Sequence, residues 1–100
     1  MIIYNVTIKI GHEIHEEWLG WMKETHMPDV LQTGCFLEHK ICRLLDQDES
    51  DGITYNIQYL CESAEMIEKY QAEFAPALQQ KHSEKYKDRF VAFRTLMEVV

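Results

Sequence analysis

Apolar and other side chains alternate along residues 2–10, with a period of two that is typical of a β-strand. Similar alternation recurs over 53–61 and 91–99, and a weaker version covers 35–45. Two intervening segments instead place a mainly apolar set of residues at helical spacing. These residues are Ile14, Trp18, Trp21, Met22 and Thr25 in the first segment, and Ile67, Tyr70, Phe74, Ala77 and Leu78 in the second. The pattern therefore predicts the order β-α-β-β-α-β.

Glycine, proline and serine mark where the predicted helices begin, bend and end. Pro28 is expected to end or bend the first helix, and a short helical turn beyond it should stop at Gly34. Ser63 is a suitable N-cap for the second helix. Pro76 lies inside the apolar pattern of that helix, so we expect a kink or a split there.

The predicted order of elements is that of a single ferredoxin-like α+β domain spanning residues 1–100. Right-handed crossovers place both helices on one face of a four-stranded antiparallel sheet. The first and third strands then lie at the centre, with the fourth beside the first and the second beside the third. The chain is about as long as one ordinary domain, and no linker or repeat divides it.

The sheet face that the helices leave bare is the most informative predicted surface. We expect the uniformly apolar faces of the first, third and fourth strands to point at the helices. The bare face then carries Ile3, Asn5, Thr7, Thr54, Asn56, Gln58, Arg94, Leu96 and Glu98. Such a mixed surface is either wet or covered by a second copy of the domain. We favour a homodimer, a dimeric α+β barrel, in which Ile3, Leu60 and Leu96 make apolar contacts around a polar patch.

A row of polar side chains across this bare face is the candidate ligand-binding site. A covered Arg94 needs a carboxylate or another anion, supplied by Glu98 or by a ligand. We therefore expect a small, anionic organic ligand. The facing of the second predicted strand is ambiguous, which leaves open whether His39 and Arg43 join the row. The predicted ligand-binding residues are Asn5, Thr7, Asn56, Gln58 and Arg94.

His26 is the candidate catalytic residue. It lies between Trp21 and Pro28 at the end of the first predicted helix, where an imidazole is placed to act as general base or to bind a substrate. The alternative is a histidine that only caps the helix, because the helix dipole favours the charged ring there. His82 follows the apolar stripe of the second helix and is expected to be a partly buried, hydrogen-bonded residue.

Neither a metal site nor covalent catalysis is expected. His12, His15 and Glu16 have a spacing that suits a metal ion, but no further ligand follows at a recognisable interval. Cys35 lies near two histidines in sequence, yet no nucleophile motif surrounds it. The three cysteines form no C-x-x-C pair and are expected to be buried, reduced thiols. No cofactor-binding motif occurs, so we expect cofactor-free chemistry.

The charge of the chain argues against a nucleic-acid partner. Its net charge is −7 and its pI is near 5.1, whereas phosphate contacts need a basic surface. An RNA-binding sheet of this topology would also need paired aromatic residues on its central strands. No apolar run is long enough to span a bilayer, and the N-terminus has no signal-peptide pattern. We expect a cytoplasmic protein without membrane partners.

Six segments spread over the whole chain carry a resemblance to a known family. They are Tyr4-Asn5-Val6-Thr7, Trp18-x2-Trp21-Met22-Lys23-x2-His26-x-Pro28, Thr33-Gly34-x-Phe36, Ile53-Thr54-Tyr55-x2-Gln58-Tyr59, Ala75-Pro76-Ala77-Leu78 and Asp88-Arg89-Phe90-Val91-Ala92-Phe93-Arg94-Thr95-Leu96. In order and spacing they resemble a bacterial family of about this length, described only as a domain of unknown function. That family is similar to the dimeric α+β barrel superfamily.

The resemblance implies a fold, a dimer and a range of activities. The superfamily includes cofactor-free monooxygenases, haem-degrading enzymes, isomerases and effector-binding modules, so fold alone does not fix function. By the same resemblance, His26 borders a pocket, and Asn5, Gln58 and Arg94 lie inside it. The Asn, Trp and His set of the haem-degrading branch is not reproduced, because only Asn5 aligns with it.

Two functional hypotheses remain open at the level of sequence. In the first, a homodimer binds a small anionic organic molecule, with Arg94 as the anion contact and His26 as a general base. Catalysis would then be proton transfer or cofactor-free oxygenation, of the isomerase or monooxygenase type. In the second, the protein is a non-catalytic dimerisation or regulatory module, and its polar row only satisfies itself across the twofold axis.

Overall fold

Four strands and four α-helices form the structure of residues 1–100, all of which are described by a computed structural model. The strands are β1 (Ile2–Gly11), β2 (Glu38–Arg43), β3 (Gly52–Cys61) and β4 (Phe90–Glu98). The helices are α1 (His15–Trp21), α2 (Met27–Gln32), α3 (Ala64–Glu73) and α4 (Ala75–Lys85), and a π-helical turn (Met22–His26) joins α1 to α2. The predicted order of elements is confirmed.

The strands form one antiparallel sheet in the order β2-β3-β1-β4. The two central strands, β1 and β3, pair along their full length, from Ile2 opposite Cys61 to Gly11 opposite Gly52. Each of the two edge strands pairs with one central strand. This is the ferredoxin-like α+β arrangement that the sequence predicts.

The core lies between the helices and one face of the sheet. Alternate residues of the central strands point into it, because successive side chains of a strand face opposite sides. They are Tyr4, Val6, Ile8 and Ile10 in β1, and Ile53, Tyr55, Ile57, Tyr59 and Cys61 in β3, all buried. From the helices, Trp18, Met22 and Ile67 complete this layer. Each such side chain contributes about 1.5–3 kcal/mol by leaving water.

The first helical stretch passes through Pro28 instead of ending there. In the π-helical turn the Met27 N–H donates to the Met22 carbonyl, five residues earlier. Pro28 follows in the first turn of α2, where a missing N–H is tolerated. The expected stop at Gly34 is confirmed: its φ of 78° is a left-handed conformation that suits glycine.

The second helical stretch is split as predicted. Ser63 caps α3 by accepting a hydrogen bond from the Met66 N–H at 3.3 Å. Phe74, with φ −121°, separates α3 from α4, and Pro76 occupies the first turn of α4. The break therefore falls just before the proline, where the helical hydrogen-bond pattern restarts.

The predicted facing of β4 is wrong. Arg94 lies directly opposite Val6, and Leu96 lies opposite Tyr4, so both side chains are on the helix side of the sheet. The more apolar set, which includes Val91 and Phe93, faces away from the helices. Alternation identifies residues that share a face, but the pairing of β4 with β1 decides which face that is.

The open facing of β2 is settled by its pairing with β3. His39 lies opposite Tyr59 and Arg43 lies opposite Tyr55, which places both on the helix side. They therefore do not extend the polar row of the bare face. No helix of the chain is both long and apolar enough to cross a membrane.

Candidate functional site

A small cavity lies between the helices and the sheet. Its volume is about 30 Å³, which is room for roughly two water molecules. Apolar and aromatic side chains from β1, β3, β4, α3 and the π-helical turn make up most of its wall. The polar side chains that line it are Tyr4, Tyr59, Tyr70, His26, Gln79, His82 and Arg94. Such an apolar wall with a few converging polar groups is the usual form of a small-molecule site.

The π-helical turn brings His26 to this cavity. A π-helical turn has one more residue than the equivalent α-helical turn, and such turns often occur at functional sites. The His26 ring lies 5.3 Å from the Trp21 ring and 5.8 Å from the His82 ring, between centroids. Neither of its nitrogens has a hydrogen-bond partner in the chain. His26 is thus an imidazole at a cavity wall, with its polar atoms uncommitted.

The environment keeps His26 neutral at physiological pH. Burial lowers its pKa to about 4, although the nearby Asp29 carboxylate opposes this shift. The positive charges of Arg94 and Lys81 lower the pKa further. A neutral imidazole retains a lone pair that can accept a proton, as a general base must.

His82 is buried deeper in the same wall, with only 6% of its surface exposed. The Trp18 indole N–H donates to its Nε2 at 2.8 Å, and the Phe90 ring meets it edge-on at 4.5 Å. Burial lowers the pKa of His82 to about 4, and the charges of His26 and Arg94 act in the same direction. The prediction of a buried, hydrogen-bonded histidine is confirmed.

Arg94 is unlike the other two arginines of the chain. Arg43 pairs with Glu49 at 2.6 Å, and Arg89 pairs with Glu13 at 3.7 Å. Arg94 forms no ion pair, although acidic residues outnumber basic ones by 17 to 10. Glu98, one of the two anions that the sequence suggests for Arg94, does not pair with it, and Arg94 is exposed rather than buried.

Arg94 also stands at the boundary between the cavity and an outer groove. The groove has a volume of about 250 Å³, and Tyr4 and Arg94 line both spaces. Its remaining wall is formed by Gln71, Thr95 and Leu96. A long, unpaired side chain in this position can move at low cost, which would join the two spaces.

Three tyrosines give the cavity an aromatic floor. The Tyr4 ring meets the rings of Tyr59 and Tyr70 edge-on, at 6.1 and 5.5 Å between centroids. Burial raises the pKa of both Tyr59 and Tyr70 far above the physiological range, so their phenols stay neutral. The Tyr4 hydroxyl accepts a long hydrogen bond of 3.4 Å from the Gln79 amide.

The predicted polar row divides between two faces of the sheet. Asn5 lies opposite Gln58 and Thr7 lies opposite Asn56, so these four residues form one patch on the bare face. The Asn56 amide donates to the Thr7 hydroxyl at 3.1 Å, whereas Asn5 Oδ1 is buried without a partner. Arg94 is on the opposite side of the sheet, where it lines the same cavity as His26. The structure therefore brings together the predicted base and the predicted anion contact, but not the four amide and hydroxyl residues.

The edge of the bare face exposes large apolar side chains. Val91 is 71% exposed, Phe93 61% and Met97 37%. Because Phe93 lies opposite Thr7, this apolar strip borders the polar patch directly. Leu96, one of the three predicted dimer contacts, is on the other side of the sheet.

Sequence reasoning missed the link between Trp18 and His82. These residues are 64 positions apart, and an aromatic residue at helical spacing is normally a packing residue. The only available signal was the position of His82 on an apolar stripe, because a histidine there needs a hydrogen-bond partner. Nothing in the sequence identifies that partner as an indole.

The two cavity histidines should make stability depend on pH. The unfolded chain protonates them below pH 6.5, whereas the folded chain does so only near pH 4. The free energy of unfolding therefore falls as pH drops from 6.5 toward 4, by about 2 kcal/mol per histidine at about pH 5. Urea unfolding of His26→Gln should show about half the wild-type loss between about pH 7.5 and 5.

The exposed His12 provides the control for this measurement. Its substitution, His12→Gln, should leave the pH dependence of the wild-type chain unchanged. An equal effect of the two substitutions would contradict a buried, neutral His26.

Comparisons with known proteins place the chain in a family and identify solved structures with a similar fold. Residues 1–100 match the family described as "Domain of unknown function (DUF4286)". No protein of curated function matches the chain. Solved structures share the ferredoxin-like fold that the resemblance in sequence predicts.

Three solved structures illustrate this similarity. A dimeric ferredoxin-like protein from an uncultured marine organism has 17% identity and a TM-score of 0.73, covering 100% of this chain and 95% of that one. An ethyl tert-butyl ether d (EthD) family protein from Bacillus halodurans C-125 has 13% identity and a TM-score of 0.69, covering 100% of both chains. SnoaB, a cofactor-independent oxygenase from Streptomyces nogalater, has 14% identity and a TM-score of 0.70, covering 99% and 93%. At these identities the likeness concerns the fold alone.

Proposed function

Since the chain belongs to the DUF4286 family, whose description assigns no activity, we propose a function from the site itself: the protein binds a small anionic organic molecule between its helices and its sheet. The anionic group is held by Arg94, and the organic body lies against the apolar wall and the tyrosine rings. The sequence-based hypothesis instead puts the ligand on the bare face, against Asn5, Thr7, Asn56, Gln58 and Arg94. Of these five residues, only Arg94 belongs to the site proposed here.

The observation that carries this proposal is an unpaired arginine beside an apolar cavity. In a chain with many carboxylates, Arg43 and Arg89 have acidic partners and Arg94 has none. A guanidinium binds carboxylate or enolate oxygens with charge-assisted hydrogen bonds, which are about twice as strong as neutral ones. The space beside it accepts apolar groups, so the ligand that fits is an amphiphilic anion.

The cavity must enlarge when such a molecule binds. Its enclosed part holds only water-sized groups, but the outer groove adds about 250 Å³. Movement of Arg94 toward the groove would join these spaces while keeping the guanidinium in contact with the anion. This route needs no change in the backbone of the sheet.

His26 gives the site a capacity for proton transfer. An anion at Arg94 raises the proton affinity of the neighbouring imidazole, because opposite charges attract. His26 would then take a proton from an acidic C–H or O–H of the ligand, and Arg94 would stabilise the resulting anion. This is the first step of an isomerisation and also of a cofactor-free oxygenation. SnoaB, a neighbour by fold, is a cofactor-independent oxygenase.

We further propose that the protein is a homodimer that pairs through the bare face. The exposed Val91, Phe93 and Met97 would be covered there, next to the half-buried Ile3 and Leu60. One fold neighbour is itself described as dimeric. The second hypothesis, a non-catalytic dimerisation module, shares this interface but assigns no role to the cavity.

Ligand binding distinguishes the two hypotheses. The test is a titration of the isotope-labelled protein, followed by NMR, with benzoate, hexanoate and 1-naphthoate, and with 1-naphthalenemethanol as the uncharged control. We expect at least one carboxylate to shift the resonances of His26 and Tyr4, and the alcohol to bind roughly tenfold more weakly than 1-naphthoate. Binding of none of the carboxylates at millimolar concentration, or shifts confined to the bare face, would contradict the proposed site.

A further inference from the structure

The two histidines of the cavity differ in their hydrogen bonding. His26 has no partner, whereas His82 accepts a hydrogen bond at Nε2 from the Trp18 indole, at 2.8 Å. An indole N–H can only donate. The Nε2 atom of His82 must therefore present its lone pair to Trp18. In a neutral imidazole the proton is then on Nδ1.

The surroundings hold this arrangement in place. Trp18 is fully buried and packs against the Tyr55 ring at 5.1 Å. The Phe90 ring fixes the plane of His82 from one side, and the Tyr86 ring lies 5.5 Å away on another. A change of tautomer would leave the buried indole N–H opposite another N–H, and an unsatisfied buried donor is costly. The Nδ1–H form is thus the one that the packing permits.

The Nδ1 atom of His82 is available to a ligand. His82 lines the cavity together with His26 and Arg94, and its Nδ1 has no hydrogen-bond partner within the chain. It is also not among the buried polar atoms that are sealed without a partner, which are Asn5 Oδ1, His39 Nδ1 and the Tyr86 hydroxyl. The Nδ1–H of His82 is therefore a fixed hydrogen-bond donor at the cavity, in addition to the Arg94 guanidinium.

We infer that Trp18 is a positioning residue: it fixes His82 as a hydrogen-bond donor to an oxygen of the bound anion and leaves His26 as the imidazole that takes up a proton. This assignment rests on the proposed function for the identity of the ligand. It also narrows the ligand class to anions with two acceptor sites, such as a carboxylate or an enolate next to a carbonyl. One acceptor would meet Arg94 and the other would meet His82.

The tautomer of His82 tests this inference without any ligand. Nitrogen-15 NMR distinguishes protonated from unprotonated ring nitrogens, and we expect wild-type His82 to carry its proton on Nδ1. The other titratable and charged groups that face the His82 ring are His26, Arg94 and Tyr86. A measurement on the wild-type protein leaves all three unchanged. An Nε2–H tautomer in the wild-type protein would overturn the inference, and this measurement needs no variant.

In Trp18→Phe, His82 should no longer be restricted to the Nδ1–H tautomer. Trp21→Phe provides a matched control. The Trp21 ring also packs on His82, at 5.9 Å, but makes no hydrogen bond to it. Loss of the indole N–H removes a bond to the neutral ring, so the pKa of His82 should rise by roughly one unit in Trp18→Phe only. Equal shifts in the two variants would overturn the role of the hydrogen bond.

Binding of 1-naphthoate separates this inference from the proposed function. We expect Trp18→Phe to weaken it roughly fivefold and Trp21→Phe to leave it unchanged. An Nδ1–H tautomer in a wild-type protein that binds no carboxylate would refute the proposed function while leaving the tautomer assignment intact. If Trp18→Phe changes the tautomer of His82 but binds 1-naphthoate as tightly as the wild type, the donor role of His82 is refuted.

Discussion

Replacing Arg94 with alanine should weaken binding of 1-naphthoate by about 10- to 100-fold. This range corresponds to the loss of hydrogen bonds between a guanidinium and a carboxylate, which contribute about 1.5–3 kcal/mol. Folding should be unaffected, because Arg94 is exposed and forms no ion pair. Calorimetric titration of the wild type and of Arg94→Ala measures the difference, and thermal unfolding checks that the variant remains folded.

Arg89→Ala is the matched control for this experiment. It removes the same side chain from the segment just before β4, but Arg89 is paired with Glu13 and does not line the cavity. Its effect on binding should be within a factor of about two. Arg94→Lys should bind with intermediate affinity, since an ammonium keeps the charge but loses the bidentate geometry. Equal affinity of wild type and Arg94→Ala would exclude Arg94 as the anion contact.

Phe93→Glu should convert a dimer to a monomer. Covering one phenylalanine contributes about 1.5–3 kcal/mol, and a symmetric interface covers two of them. The loss corresponds to a dissociation constant at least about 100-fold higher, before the cost of burying a new charge is added. Light scattering over a range of protein concentrations measures this change.

Leu96→Glu is the control for the dimer, because it makes the same kind of change on the opposite face of the same strand. Leu96 is 51% exposed, close to the 61% of Phe93, but it borders the groove beside Arg94. It should leave the dimer intact. A wild-type protein that is monomeric at high micromolar concentration, or a dimer that survives Phe93→Glu, would contradict pairing through the bare face.

The parts of the fold that sequence predicted are those with strong local signals. The alternation in β1 and β3 is clear, so the patch of Asn5, Thr7, Asn56 and Gln58 was identified correctly as a group. Ser63 and Gly34 mark helix ends through local backbone chemistry, which a single chain displays directly.

The error in β4 arose because both of its faces carry apolar side chains. Phe93 and Met97 made one face more apolar than the other, and such a face normally points into the core. The register with β1 instead sets the facing, and register depends on a contact between distant parts of the chain. The same limit applies to the candidate site. His26 and Arg94 are each candidates from the sequence, but their meeting at one cavity depends on contacts between distant parts of the chain.

Phe93 and Arg94 are consecutive residues on opposite sides of an edge strand. A molecule that holds Arg94 and a subunit that holds Phe93 would therefore act on the same stretch of backbone. Thermodynamic linkage makes any such effect reciprocal: if occupancy of the cavity tightens association of the subunits, association must tighten occupancy by the same factor. Ligand binding on one side of the sheet and subunit association on the other can thus be coupled through β4, although the two surfaces make no direct contact.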